Sequence, residues 1–244
     1  MLDLFKEGEF NLSTHSVLIL NGDFDTVKEL LQGQVTSDVN ICKEGSYQLS
    51  SICNEKGFVI ADFILTIKNN VFHVVIHESL IKKFKQEIDQ FLPFYKTEIG
   101  LSDMKVIGYA KNRSINGLNP YLSAINTKQN LYIEIVVNDK ENKQSFIDNH
   151  SQWIINNYCL DNIGLDEENS GKFRPHELGY DKTRISFSKG CFRGQEIIAR
   201  VKYRSKKSHK LKLNIVSVDK FNKELKILGQ KIEYKNHLVF FTSG

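Results

Sequence analysis

The pattern of apolar and polar residues predicts a chain built largely from short β-strands, several of them paired through tight turns. Strands are predicted at 14–20, 47–52, 58–67, 71–76, 104–110 and 131–137. The turn signals between them include Asn21-Gly22, the segment 54–57 and Asn69-Asn70. The Asn-rich text between 111 and 130 has little periodicity and is interpreted as a loop or irregular insert.

Other segments place apolar residues at helical spacing. Helices are predicted at 23–31, 80–92 and 143–157. Asp23 or Asp25 can cap the start of the first helix, and Gly33 can close its end. Strands and helices therefore alternate irregularly, which favours an α+β fold over a doubly wound parallel sheet.

The chain after about residue 206 has a different character. It contains three short β segments, at 209–218, 224–234 and 236–241. We interpret this tail as a small all-β module that is too short to fold alone.

Composition adds a local excess of positive charge. The 244 residues are 41% hydrophobic and 25% charged, which is apolar enough to build a core. The net charge is only +4, but the stretch from Lys182 to Lys212 holds eleven bases and one acid, Glu196. This excess favours an anionic ligand or partner, and a solvated face is the alternative.

The cysteines and the N-terminus indicate an intracellular protein. Cys42, Cys53, Cys159 and Cys191 form no CxxC pair and no zinc-ligand spacing with histidine, so we interpret them as free thiols in a reducing compartment. The first residues lack the pattern of a signal or transit peptide, and no apolar run approaches membrane-spanning length. We expect a cytoplasmic protein without membrane contact and without a permanent metal. No GxGxxG or P-loop motif is present, so a Rossmann or P-loop nucleotide site is not expected.

The segment 185–204 carries the most informative chemistry. Lys189–Arg193 is expected to form a tight turn, which Gly190, free to take a positive φ, and Gly194 permit, and a helix follows over 194–203. Cys191 then lies just before a helix N-terminus and between two cations, where the thiolate is favoured over the thiol. Such a sulfur could act as a nucleophile, a metal ligand or a redox sensor. A small buried apolar residue is the alternative.

The text KGCFRGQE, residues 189–196, resembles the K-G-C-[FY]-x-G-Q-E signature of the YgfZ-type folate-binding proteins. The matching positions are Lys189, Gly190, Cys191, Phe192, Gly194, Gln195 and Glu196. The segments LLQGQVTSDV (30–39) and NEKGFVIADFIL (54–65) resemble text that this family shares with the T protein of the glycine cleavage system. PHELGYDKT (175–183) resembles the stretch that precedes the signature in the family.

This resemblance implies a fold and a function. It implies a glycine-cleavage-T-like arrangement in which residues 1–204 form two interwoven α+β subdomains around a central channel. Residues 205–244 would form an abbreviated C-terminal β-barrel-like module. It also implies that tetrahydrofolate binds in the channel and that the protein supports assembly or repair of iron–sulfur enzymes. Iron–sulfur client or assembly proteins would then be its partners, and classical enzymatic turnover would not be its role.

Folate combines a flat pterin with an anionic tail, which suggests roles for particular side chains. Carboxylates can accept the pterin N–H groups, and basic side chains can hold the tail. The carboxylate candidates are Asp62 and Glu177, and the tail candidates are Lys189, Arg193 and Arg200. A second role for Lys189 is to lower the pKa of Cys191. Gln195 and Glu196 are expected to fix the loop to the helix or its neighbours. For Asp62, Glu177 and Arg200, an exposed or solvated position is the alternative.

Three alternatives stay open. The T-protein resemblance allows a folate-dependent aminomethyl or methyl transferase, although the T proteins lack the cysteine signature. The basic tract allows a nucleic-acid-binding role, as in a tRNA-related accessory protein, although no RNA-binding motif is present. The third alternative is a metal site formed by Cys191 with His176 or His209, although one cysteine with scattered histidines rarely makes a closed site.

Overall fold

The structure, a computed structural model, describes residues 4–112, 126–128, 131–138, 147, 149–204 and 210–244. Most of the Asn-rich text between 111 and 130, the first part of the helix predicted at 143–157, and His209 lie outside the described residues.

The elements follow the predicted order closely. The strands are β1 (Gly8–Asn11), β2 (His15–Asn21), β3 (Tyr47–Cys53), β4 (Val59–Lys68), β5 (Val71–His77), β6 (Glu98–Ser102), β7 (Lys105–Asn112), β8 (Asn126–Lys128), β9 (Leu131–Asn138), β10 (Leu211–Ser217), β11 (Ile227–Tyr234) and β12 (His237–Ser243). The helices are α1 (Phe24–Gln34), α2 (Ile81–Ile88), α3 (His150–Cys159) and α4 (Gln195–Arg204). Every strand predicted from the sequence is present, whereas β1, β6 and β8 were not predicted.

The helix ends differ from the predictions in detail. Asp23 caps α1, since its carboxylate accepts a hydrogen bond from the Thr26 amide at 3.1 Å. Gly33 does not close this helix, because α1 continues to Gln34. The helix α2 is shorter than predicted and ends well before Pro93. None of the described helices is long and apolar enough to cross a membrane.

The described strands form three antiparallel sheets, and two of them enclose a core. The five-stranded sheet has the order β3-β4-β5-β2-β6, and the four-stranded sheet has the order β1-β7-β9-β8. Alternation along β2 divides its side chains between two cores: Leu18 and Leu20 join the core that contains α1 and α2 residues, and Val17 joins the other. That second core also holds Val106 of β7 and Trp153 of α3. The two large sheets therefore pack face to face, with α3 beside them.

The tail forms a third sheet, with the order β10-β12-β11. It packs on α3, where the rings of Tyr158 and Phe241 lie 5.1 Å apart in an edge-to-face contact. The described strands of this module form a three-stranded sheet that is not closed into a barrel. The subdivision at residue 204 stays a prediction, because 205–209 lie outside the described residues.

Candidate functional site

A cavity lies where the two large sheets, α3 and the loop after α3 meet. The space inside it, open solvent included, measures about 780 Å³. Ile64 and Val75 of the five-stranded sheet, Ile135 of β9 and Trp153 of α3 form much of its apolar wall. Gln230 of the C-terminal module reaches the same space. The mixture of apolar walls with a few polar groups suits a small-molecule ligand.

Asp62 lines this cavity from the middle of β4. One carboxylate oxygen accepts a hydrogen bond from the Leu165 amide at 3.0 Å, and the other lies 3.2 Å from the Arg184 guanidinium. The side chain is 10% exposed. Among the sequence-predicted folate residues within the described chain, Asp62 alone lines the cavity. Its contact with a ligand stays a prediction.

Arg184 is a residue that the sequence analysis did not single out. It is buried beneath Asp62, with its guanidinium 4.6 Å from the centre of the Tyr180 ring. It also donates to the side-chain oxygen of Asn162 at 3.1 Å. In the sequence it reads as one more base in the Lys182–Lys212 tract, so no local signal distinguishes it.

A chain of side-chain amides continues from Arg184 across the cavity wall. Asn162 donates to the Asn157 side chain at 2.7 Å, and Asn157 donates to the Trp153 carbonyl at 2.9 Å. All of these residues line the cavity. The amide chain therefore links the charged pair on β4 to α3 and fixes the polar side of the cavity.

Three histidines cluster at the same cavity. The ring centroids of His15 and His77 are 5.4 Å apart, those of His77 and His150 are 5.7 Å apart, and those of His15 and His150 are 6.4 Å apart. The Nδ1 atoms of His15 and His150 both contact the Thr14 hydroxyl, at 3.3 and 3.0 Å, and His77 Nδ1 contacts the Ser79 hydroxyl at 2.8 Å. These hydroxyls orient the rings. The three histidines are far apart in sequence, so only the fold reveals the cluster.

The surroundings favour the neutral form of all three rings. Burial, followed by the neighbouring His77 and His150, lowers the pKa of His15 to about 3. Burial also lowers the pKa of His77, although the carboxylates of Asp62, Asp166 and Glu78 oppose the effect. Burial and His77 together lower the pKa of His150. Within the part of the chain that the structure describes, no group of three or more His, Cys, Asp or Glu residues could hold a metal ion.

The signature loop lies against two other segments of the chain, and Gly194 is the residue that allows it. Gly194 has a φ of +79°, and a Cβ there would lie 2.5 Å from the Asn54 carbonyl oxygen. Gly190, which was expected to be free to take a positive φ, does not adopt one, and a Cβ at that position would meet nothing within 4 Å. Of the two glycines predicted to permit the turn, Gly194 is the one that requires its special backbone conformation. The tight approach occurs after Cys191, where the chain enters α4.

Lys189 turns inward from this loop. Its amine donates to the carbonyls of Val35 and Ser37 at 2.8 and 2.9 Å, and it lies 5.3 Å from the Phe192 ring centre. Burial lowers the pKa of Lys189 to about 8, although the charge of Asp38 opposes the effect. The lysine thus ties the signature loop to segment 30–39. Its contact with a folate tail stays a prediction.

Cys191 is exposed, which excludes the alternative of a buried apolar role. The guanidinium of Arg193 pairs with Glu87 at 2.6 Å and lies 3.6 Å from a Glu55 oxygen. Acidic neighbours therefore balance the Arg193 charge that was expected to act on the thiol. Phe192 is buried in the core and anchors the loop on its other side.

The remaining candidates lie away from the cavity lining. Glu196 is 82% exposed and pairs with Arg200, one turn later on the same helix, at 2.8 Å. Glu177 accepts from the Arg174 amide and from Lys226, both at 2.8 Å. Burial alone would raise the pKa of Glu177, but these two partners outweigh it and leave the pKa lowered. Glu196, Arg200 and Glu177 therefore all make structural contacts. These contacts do not test the folate-binding roles predicted for Glu177 and Arg200 or the loop-fixing role predicted for Glu196.

Comparison with known proteins identifies relatives over most of the chain. No protein-family model matches it. It is 26% identical over 244 residues to the tRNA-modifying protein YgfZ of Buchnera aphidicola subsp. Schizaphis graminum, covering 89% of this chain and 75% of that protein. It is 28% identical to the tRNA-modifying protein YgfZ of Blochmanniella pennsylvanica, covering 86% and 72%. Some other YgfZ relatives are matched over as little as 62% of their length.

The fold has a solved counterpart. The glycine cleavage system aminomethyltransferase T from Bartonella henselae superposes with a TM-score of 0.61 over 98% of this chain and 79% of that one, at 10% sequence identity. The resemblance to YgfZ-type proteins and the glycine-cleavage-T-like α+β fold are thus confirmed. At 10% identity, the structural likeness shows the fold alone.

Proposed function

We propose that this relative of the YgfZ proteins binds tetrahydrofolate in the cavity between its two large sheets, and that its exposed Cys191 supports assembly or repair of iron–sulfur enzymes. The observation that carries the proposal is that Asp62 lines a partly apolar cavity, in a protein whose sequence contains the complete cysteine signature.

The chemistry of the cavity suits a pterin. A flat ring can lie against Trp153 and Ile64, while Asp62 accepts hydrogen bonds from ring N–H groups. Each carboxylate oxygen can accept two hydrogen bonds, so Asp62 retains capacity beside its donors Leu165 and Arg184. The neutral histidines add further hydrogen-bonding nitrogens without adding charge.

The signature loop suits a role in presenting the thiol. Its backbone is held to segment 30–39 through the Arg193 amide, which donates to the Gly33 carbonyl at 3.2 Å, and through the Lys189 amine. Gly194 packs on the turn at Asn54. A thiol on a braced, exposed loop is accessible to a partner protein without reorganisation of the chain.

Calorimetric titration with tetrahydrofolate under anaerobic conditions tests the folate half of the proposal. We expect saturable binding to the wild-type protein and at least about tenfold weaker binding to Asp62→Asn, because a carboxylate acceptor of ring N–H groups is lost. Glu196→Gln is the matched control, since Glu196 lies outside the cavity lining. Circular dichroism establishes that each variant is folded. Absence of binding to the wild-type protein would contradict the proposal.

Complementation tests the thiol half. Cells that lack their own copy of the gene should recover iron–sulfur enzyme activity with the wild-type protein and not with Cys191→Ala. The half-buried Cys42 provides the control, as Cys42→Ala removes a thiol from elsewhere in the structure. Full recovery with Cys191→Ala would rule out the role of the sulfur, provided that both variants accumulate equally.

A second candidate function is RNA binding, because relatives are named tRNA-modifying proteins and the surface at α4 combines an exposed aromatic ring with a cation. Tyr203 is 72% exposed, and the Lys202 amine lies 3.4 Å from the centre of the Phe187 ring. Exposed aromatics beside cations can stack bases and hold phosphates. A gel shift with tRNA that weakens steeply with salt and is reduced in Lys202→Glu would support this function. No shift at low salt would remove it.

A further inference from the structure

The guanidinium of Arg184 has one donor left over. Its Nη1 donates to the carbonyls of Ser50 and Phe63, each at 3.2 Å. Its Nη2 donates to the Asn162 side chain at 3.1 Å and pairs with Asp62 at 3.2 Å. The four N–H groups of the terminal nitrogens thus make three hydrogen bonds and one ion-pair contact between them. The fifth, Nε–H, is buried and has no hydrogen-bond partner among the residues that the structure describes.

An unpaired buried donor on a charged group calls for a partner. Leaving such a group unsatisfied costs free energy, so native structures tend to provide it with a ligand or a water. Arg184 is 3% exposed, yet it is one of the residues that line the cavity next to Asp62. Ser50, Phe63 and Asn162 already occupy the terminal nitrogens, and a molecule in the adjoining cavity can supply an additional acceptor.

We propose that Arg184 is a specificity residue of the cavity: its free Nε–H donates to a carbonyl oxygen of the bound ring, while Asp62 accepts from the N–H beside that oxygen. This inference rests on the proposed folate function and adds a chemical requirement to it. The ring must present a C=O next to an N–H, as a 4-oxo pterin does. A 4-amino pterin places an amino donor against the arginine donor and is disfavoured.

A purely structural role for Arg184 makes a different prediction. If the arginine only neutralised Asp62 and braced the loop, its terminal nitrogens would suffice and the Nε–H would stay unaffected by a ligand. A 4-amino ring also lacks the N–H that Asp62 accepts from, so a preference for the 4-oxo ring would remain, but it would be the same in a variant without the Nε–H. A water permanently bound to Nε would likewise leave the preference of such a variant unchanged.

The test compares two ligands that differ at this position. Tetrahydrofolate and its 4-amino analogue tetrahydroaminopterin are titrated calorimetrically into the wild-type protein under anaerobic conditions. We expect tetrahydrofolate to bind at least about tenfold more tightly, because with the analogue the arginine contact becomes a donor–donor clash and Asp62 loses its N–H donor. Arg184→Lys keeps a charge beside Asp62 but lacks the Nε–H, so its preference should be at least about threefold smaller than that of the wild-type protein, with the Asp62 contribution remaining.

A second measurement, by NMR spectroscopy, uses the wild-type protein and so does not depend on whether a variant folds. The chain has six arginines, so the Nε–H groups give few nitrogen-15 NMR signals. An arginine Nε–H signal that is protected from exchange should shift with tetrahydrofolate and not with the 4-amino analogue. A buried arginine signal that tetrahydrofolate leaves unmoved, or a preference that Arg184→Lys keeps in full, would overturn the inference and leave the folate function standing. Failure of both ligands to bind would remove the folate function and the inference with it.

Discussion

At the scale of single residues, two glycines in one motif have different physical requirements. Gly194 adopts a φ of +79° against the Asn54 carbonyl, whereas Gly190 has ordinary φ and open space around it. We predict that Gly194→Ala lowers the free energy of unfolding by about 2–4 kcal/mol, because it combines backbone strain with a backbone clash. Urea denaturation followed by circular dichroism measures the change.

Gly190→Ala is the matched control for this comparison. It adds the same methyl group four residues earlier, where nothing obstructs it, and should change the free energy of unfolding by less than about 0.5 kcal/mol. Equal effects of the two substitutions would show that the loop differs from the conformation described here.

The sequence identifies the chemical type of the important residues better than the direction in which their side chains point. The signature text singles out Lys189, but its position beside Cys191 gives no sign that the amine turns inward to main-chain carbonyls. Arg184 is hidden in a run of bases, although it is the one beneath Asp62. Direction depends on packing against segments more than a hundred residues away, and a local pattern contains no information about it.

At the scale of elements, strand positions follow from the sequence because alternation and turn residues act locally. The paired strands β3 and β4 around the turn at 54–57 are the clearest case. By contrast, β6 was missed because it is only five residues long and lies at the edge of its sheet, where its alternating Ile99 and Leu101 are not buried. The early end of α2 also has no strong local signal, since Pro93 lies several residues further on.

The histidine cluster, assembled from β2, β5 and α3, predicts a dependence of stability on pH. The pKa of His15 is about 3 in the folded protein, against about 6.5 in an unfolded chain. Between these values the unfolded state binds more protons, so the free energy of unfolding falls as the pH falls from 6.5 towards 3. We predict that His15→Gln loses less stability than the wild-type protein between pH 7 and pH 4.5, by on the order of 1–2 kcal/mol.

Urea titrations at the two pH values measure this difference. Carboxylates contribute to acid destabilisation in both proteins and largely cancel in the comparison. His237→Gln, outside the cluster, should lose as much stability on acidification as the wild-type protein. A wild-type-like loss in His15→Gln would mean that the ring is solvated and titrates normally in the folded state.

At the scale of the whole molecule, the cavity exists because three separate parts of the chain meet. The five-stranded sheet supplies Asp62, α3 supplies Trp153, and the C-terminal sheet supplies Gln230. The family resemblance implied a central channel, but no local pattern predicts which side chains face it. The docking of the third sheet therefore affects the site directly, in addition to its effect on stability.

This docking depends on the hydroxyl of Tyr158. The register of β11 against β12 shifts between Leu228 and Ile232, and this irregularity includes Gln230. The Tyr158 hydroxyl donates to the Gln230 carbonyl at 2.8 Å and accepts from the Gln230 amide at 3.0 Å. A single side chain on α3 therefore satisfies both backbone groups of a cavity-lining residue.

We predict that Tyr158→Phe destabilises the protein by about 1–3 kcal/mol, because both Gln230 backbone groups lose their partner. Hydrogen exchange should show the largest loss of protection in β11 and β12, with the five-stranded sheet little affected. Lys226→Ala is the control, since it breaks the exposed contact with Glu177 between the same module and the body, and should cost less than about 1 kcal/mol. An equal rise of exchange in all three sheets of Tyr158→Phe would mean that the C-terminal sheet unfolds together with the rest of the protein as one cooperative unit. Ligand binding in the cavity could then not be tuned through the docking of the C-terminal sheet.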